Sequence, residues 1–290
     1  MDKTHSKQDV RQFYDNVGWQ EVSDGMYQNA SYEDLRPVSR RYIHRCHLRV
    51  NRYLHPTGQL LLDAGSGPIQ YPEYLTYSEG YHHRVCIDIS IVALQEARKR
   101  IGEHGLFVVA DVANLPFAPG VFDGIVSLHT LHHVGVEDQR KGYREFERLM
   151  KPGASCVVVN GQGGSSLMQA AMPLIVRMEK AFNLRKQNGE QGIQSKKNAS
   201  PEAAANPDTE KMPTGTFVKK MEVPDLRKLL QGMQVEIYCW RSVSVRFLRA
   251  MIHPWLLGRL WLAILFVMED LFPRFFGEKG QYPLVVIRKP

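Results

Sequence analysis

The chain has 290 residues, 43% of them hydrophobic and 23% charged, which is enough apolar material for a sizeable core and excludes a disordered or fibrous chain. Lys and Arg number 37 against 30 Asp and Glu, and the resulting +7 favours anionic partners without naming one. The four cysteines, Cys46, Cys86, Cys156 and Cys239, are far apart with no paired spacing, and the start MDKTHSKQDV lacks the apolar stretch of a signal peptide, so reduced thiols in a cytoplasmic protein are expected.

Residues 1–57 read as a polar-aromatic helical cap, with a helix over 38–54 that carries Arg40, Arg41, Arg45, Arg49 and Arg52. From Gln59 the pattern changes to short apolar runs, QLLLDAG, RVCIDIS, LFVVAD, FDGIVSL and SCVVVN, separated by helical stretches that include 91–100 and 139–150. Buried strands alternating with helices predict a parallel sheet covered on both faces over 58–160. Residues 161–215 form an insert or lid, first an apolar helix over 167–182 and then a mobile loop over 187–215, whose large apolar residues are only Ile193 and Met212. The core resumes over 216–290, with a helix start at Val223-Pro224-Asp225, strands over 235–240 and 283–287, and an apolar helical insert within 246–280.

The segment LLLDAGSG, residues 60–67, is an apolar strand that ends in an acid and a glycine pair. Glycines there let backbone approach a ligand, and a helix is expected to follow and present its free N–H groups. A dinucleotide site has a similar pattern, with Asp88 as the later acid, but Asp63 would repel a pyrophosphate and attract a cationic ligand, and the third glycine is missing, since Pro68, Ile69 and Gln70 follow Gly67. Asp88 and Asp111 end the next two strands. Asp88 suits ribose hydroxyls, and the turn Asn114-Leu115-Pro116-Phe117 suits an adenine edge. Three carboxylates at consecutive strand ends would line one crevice, because ligands of open parallel sheets bind outside those ends.

These motifs, DAGSG (63–67), CIDIS (86–90), ADVANLPF (110–117) and FDGIVSLHTLHH (122–133), resemble those of the class I S-adenosylmethionine-dependent methyltransferases, in particular the type 11-like group. The resemblance covers residues 58–160 and, weakly, 283–289. It implies an α/β Rossmann-like, doubly wound, mostly parallel seven-stranded sheet with S-adenosyl-L-methionine as cofactor. It assigns the methionine part to Asp63, Ala64, Gly65, Ser66 and Gly67, the ribose to Asp88 with Ile89, and the adenine to Asp111 and Val112. Ser127 and Leu128 would contact the methionine moiety, and Tyr14 would fold over the cofactor, or else pack the N-terminal helix onto the domain. His129 is a weak candidate base, and His129, His132 and His133 find no acid or cysteine to complete a metal set.

Residues 253–276 are apolar nearly all round for nine residues, Leu260 to Met268, which reads as a buried lid or dimer contact, with a peripheral membrane contact as the alternative. The expected activity is SN2 methyl transfer to a small-molecule acceptor, lipid-like or aromatic. The alternatives are an inactive cofactor-binding or membrane-associated partner protein and, below it, an NAD-dependent oxidoreductase. Nucleic acid ranks below a small molecule as acceptor, since no base-flipping signature and no aromatic-basic strand platform is present.

Overall fold

The computed structural model describes residues 10–12, 14–15, 33–182 and 217–290, and the backbone of 21–23, 26–27 and 183–191. Seven strands form one sheet: β1 (Gly58–Ala64), β2 (Tyr81–Asp88), β3 (Gly105–Val109), β4 (Phe122–Leu128), β5 (Met150–Val159), β6 (Gln234–Arg241) and β7 (Tyr282–Arg288). Their spatial order is β3-β2-β1-β4-β5-β7-β6, and β7 runs antiparallel to both neighbours while the other pairings are parallel. The strand order reverses between β1 and β4, and this switch point opens a crevice beyond the carboxyl ends of the strands. Apart from the sheet, Glu21–Ser23 and Met26–Tyr27 pair as a short hairpin.

Successive residues of a strand point to opposite faces, and the core divides accordingly. Leu62, Ile125, Cys156 and Val158 pack under α3 (Val136–Leu149) and α5 (Val223–Leu229), through Tyr143, Phe146 and Leu226. Leu61, Val126, Val157 and Trp240 face the other way, onto Val50, Leu54 and Tyr77. The N-terminal segment therefore supplies one layer of the core. Its helix is α1 (Arg40–Leu48) followed by a 3-10 turn, Arg49–Arg52. Val38, Tyr42, Ile43 and Cys46 pack with Leu248 of α6 (Val245–Met251) and with Leu262 and Phe266 of α7 (Gly258–Leu271).

Three expectations change. No α-helix follows Gly67: Gly67 and Ile69 both have left-handed backbone, φ 53° and 54°, so a right-handed helix cannot run through them. The next element is the 3-10 turn Pro72–Ser78, and the crossover helix α2 (Ile91–Ile101) comes only after β2. Second, α4 (Ser166–Gln191) continues past Phe182, so residues 187–191 of the expected loop are helical in backbone; the rest of it, 192–215, lies outside the described residues. Third, α7 is not apolar all round in its environment. Leu262, Phe266 and Glu269 are buried, while Leu260, Trp261, Ile264, Val267, Met268 and Leu271 face outward.

Candidate active site

A cavity of about 730 Å³ lies at the switch point, a size suited to a cofactor together with a small acceptor. Its floor is the turn after β1. Gly65 and Gly67 adopt positive φ, 76° and 53°, and a Cβ on Gly65 would come within 2.2 Å of the Thr130 side chain, so only glycine fits there. The N–H groups of Gly65 and Ser66 donate to the Ile87 carbonyl, at 2.8 and 3.0 Å, which staples the turn to β2.

Asp88 closes this turn from the next strand. Its Oδ2 accepts from Gly67 N–H at 3.0 Å and its Oδ1 from Ser90 N–H at 2.9 Å, leaving lone pairs on both oxygens towards the cavity. Burial disfavours its charge and, despite those bonds, pushes its pKa up to about 6, with nearby Asp63 adding to the rise. Asp111 also lines the cavity, and its Oδ1 accepts from Ala113 N–H at 3.0 Å in the turn that Asp111 and Asn114 close. Ile89, Val112 and Leu128 complete this half.

Asp63, Ala64 and Ser127 do not line the cavity, contrary to expectation. Period-two alternation places Asp63 with Leu61 on the sheet face that Tyr77 covers. There its Oδ2 accepts from both Arg84 Nε, at 3.0 Å, and the Arg84 Nη2 group. Its charge is already matched inside the protein. The Ser127 hydroxyl donates to the Ala64 carbonyl at 2.8 Å and fixes β4 to β1 beneath the site.

The histidines lie on the chain that leaves β4. His129 has φ 57° and its N–H donates to the Val159 carbonyl at 2.7 Å, while its ring centroid lies 5.0 Å from that of Trp240 and 5.7 Å from that of Tyr282. Burial, and then Arg241, push its pKa down to about 3, so the ring is neutral and a poor proton acceptor. His133 Nδ1 faces the Phe217 carbonyl at 3.0 Å, which can only accept, so Nδ1 carries the proton. The bare Nε2 then accepts from the Tyr14 hydroxyl at 2.9 Å. This bond draws Tyr14 over the cavity. No group of three or more metal-binding side chains occurs among the described residues.

The far half of the cavity was not legible in the sequence. Glu33, Tyr71, Tyr74, Lys220, Arg241, Arg246 and Tyr282 meet there from five distant segments. Arg241 is buried, ion-paired to Glu33 at 2.5 Å, with its guanidinium 4.4 Å from the Tyr282 ring centroid. Arg246 pairs with Glu179 of α4 at 2.8 and 2.7 Å. A charged residue closing the apolar strand 235–240 was the available signal for Arg241.

Comparison with known proteins agrees with this geometry. Residues 62–158 match the family described as a methyltransferase domain. A tRNA (carboxymethyluridine(34)-5-O)-methyltransferase of Arabidopsis thaliana is 27% identical over 147 residues, 44% of this chain and 35% of that protein. The eEF1A lysine and N-terminal methyltransferase of Mus musculus is 27% identical over 124 residues, 42% of this chain and 17% of its own length. The chain thus matches about a third or less of these curated relatives. Among solved structures, phosphoethanolamine N-methyltransferase 1 of Haemonchus contortus shares the fold at a TM-score of 0.57 and 9% identity, over 100% of this chain and 50% of that one. The [4+2]-cyclase SpnF does so at 0.51 and 16%, over 98% and 97%.

The sheet order, the glycine turn and the acids at the ends of β2 and β3 define a class I S-adenosylmethionine-dependent methyltransferase domain, and the chain carries one. S-adenosylmethionine is its cofactor, and the residues present fit it: a glycine floor without side chains, a carboxylate with spare lone pairs, and no cation among the β1–β3 residues that line the cavity.

Proposed function

We propose that this protein methylates a small, lipid-like acceptor that enters the cavity from a membrane surface. When bound, the cofactor supplies an electrophilic methyl group on a sulfonium. The Gly65–Ser66–Gly67 backbone holds its methionine part, Asp88 and Ile89 its ribose, Asp111 and Val112 its adenine, and Tyr14 closes over it. Leu128 and His129 lie where the methyl leaves. His129, with its depressed pKa, suits a neutral hydrogen-bonding role better than deprotonation, so catalysis rests on positioning an acceptor atom that arrives as a nucleophile.

The observation that carries the acceptor reading is an apolar outer surface that begins near the cavity rim. Val245 and Arg246 line the cavity, and α6 leads from them to Trp255, Leu257, Leu260, Trp261, Ile264, Val267, Leu271, Phe272 and Phe275, all exposed. At 1.5 Å rise per residue, α6 spans only about 10 Å. No helix among the described residues is long and apolar enough to cross a membrane, so contact would be peripheral. The test is incubation with radiolabelled S-adenosylmethionine and, in separate reactions, a lipid extract, transfer RNA and a protein lysate. Label in a lipid product is expected. Label in RNA instead would favour a second reading, which the names of two curated relatives as tRNA methyltransferases support. Cofactor binding with no turnover on any of them would leave a catalytically inactive partner protein.

A further inference from the structure

The acceptor half of the cavity carries an unbalanced positive charge. Three cations line it, Lys220, Arg241 and Arg246. Glu33 matches Arg241 and Glu179 matches Arg246. Lys220 has no ion pair or side-chain hydrogen bond among the described residues. The three nearby histidines add no positive charge of their own: burial holds them neutral, and Lys220 itself helps to do so.

Lys220 is also placed rather than free. The Lys219 N–H donates to the His132 carbonyl at 2.7 Å, Gln139 Nε2 donates to the Lys219 carbonyl at 2.8 Å, and Gly163 N–H donates to the Met221 carbonyl at 3.4 Å. The side chain lies over Gly161, where an added Cβ would come within 3.3 Å of Cε and 3.4 Å of Nζ. That glycine makes room for the ammonium at the ends of β5 and β7, beside Tyr282. Asp88 stands at the end of β2, three strands away, about 14 Å at the usual interstrand spacing. A cofactor reaching from β2 and β3 to β4 leaves the lysine to the acceptor.

We propose that Lys220 anchors an anionic group of the acceptor, a carboxylate or phosphate monoester, and so selects anionic amphiphiles. The inference rests on the methyltransferase reading above and narrows its substrate class. An anion there would balance the ammonium and would meet hydrogen-bonding partners in Tyr282 and Gln281, which line the same wall. Lys220 is exposed at the cavity rim, where the protein around it still desolvates the ammonium enough to lower its affinity for a proton, and a bound anion would restore it.

The test is calorimetric titration of S-adenosylhomocysteine-saturated protein with inorganic phosphate, dodecyl phosphate and dodecanol, on wild type, Lys220→Met and Lys220→Arg. Dodecyl phosphate should bind wild type at least tenfold more tightly than dodecanol. Lys220→Met should erase that preference, with dodecanol unchanged, and Lys220→Arg should keep it within about threefold. Equal affinity of Lys220→Met and wild type for both phosphates overturns the proposal. So does a loss of S-adenosylhomocysteine affinity in Lys220→Met, which would give the lysine to the cofactor carboxylate. If inorganic phosphate binds through Lys220 but dodecyl phosphate binds no better, the anion site stands and the lipid-like acceptor falls. Gly161→Ala, which crowds the lysine without touching its charge, should weaken phosphate binding in the same direction.

Discussion

Asp63 and Arg84, on adjacent parallel strands, form a buried ion pair that turns the first acid of the glycine motif away from the cavity it precedes. The motif acid is thus a support for the turn. Removing one partner of a buried pair leaves the other charge uncompensated, at a cost on the order of 3–5 kcal/mol. Asp63→Asn should therefore destabilise the fold by about that amount in urea denaturation. The double variant with Arg84→Met should recover much of it, and S-adenosylhomocysteine affinity, measured well below the melting temperature, should change by only a few fold. A hundredfold loss of affinity without loss of stability would return Asp63 to the site.

Asp88 behaves in the opposite way, because it is buried with backbone N–H partners but no cation beside it. Its pKa, raised to about 6 by burial, means that the folded ligand-free protein holds this proton more tightly than the unfolded chain. The group's stability contribution is present below its unfolded value near 4 and is lost as pH rises to about 6, at most about 3 kcal/mol. If Asp88 accepts the ribose protons as proposed, cofactor affinity should move the other way and rise about tenfold between pH 5 and 7.5, as the carboxylate ionises. Asp88→Asn should flatten that profile, lower affinity at pH 7.5 at least tenfold, and leave the ligand-free protein no less stable there. Titration calorimetry and thermal melts across pH would check both.

The contrast between these two acids marks how far the sequence could be read. Both end an apolar run, and that pattern placed all seven strands and the crevice, because strand burial and glycine turns are local properties. Which way an acid points depends on its neighbour across the sheet. Arg84 opens the run RVCIDIS with nothing to tie it to Asp63, 21 residues earlier. The acceptor half fared worse: Glu33, Tyr71, Lys220 and Arg241 share no motif and meet only through the order β5-β7-β6 and the packing of the N-terminal layer. The helix expected after the glycine pair is absent because Ile69, in the stretch without a third glycine, takes left-handed backbone, a conformation that no residue type in that stretch announces.

Glu269 gives a third expectation. In the sequence it interrupts an apolar run, but in the fold it is fully buried and accepts from Tyr42 Oη at 2.7 Å, Arg49 Nη1 at 2.8 Å and Ser242 N–H at 2.8 Å. It joins α1, the chain after β6 and α7 into one layer. Glu269→Ala should strip Arg49 of its main buried partner and destabilise by about 3–5 kcal/mol. Cooperative unfolding of the N-terminal layer and α7 should appear in hydrogen exchange as matched loss of protection in 40–52 and 258–271, ahead of β1 and β4. Independent loss in one segment alone would show that the network does not couple them.

The outer face of α7 supplies the last prediction. Trp255 and Trp261 are each 60% exposed, and the neighbouring Leu257 and Leu271 each 65%, on a surface far more apolar than a monomer in water usually keeps. Arg259 on the same helix is exposed as well, which suits a helix lying at an anionic interface. Half-exposed side chains of this size return roughly 1 kcal/mol each on further burial, so five or six acting together suffice for reversible attachment. Flotation with vesicles of 70% phosphatidylcholine and 30% phosphatidylglycerol should recover the protein, and added salt should weaken recovery only in part. The double variant Trp261→Glu with Val267→Glu should lose flotation at least tenfold. Its melting temperature and S-adenosylhomocysteine affinity should stay at wild-type values, since neither side chain is buried and neither lines the cavity. If wild type instead fails to float and sediments as a dimer that the variant dissociates, the face is a contact between copies, and the acceptor reaches the cavity from water.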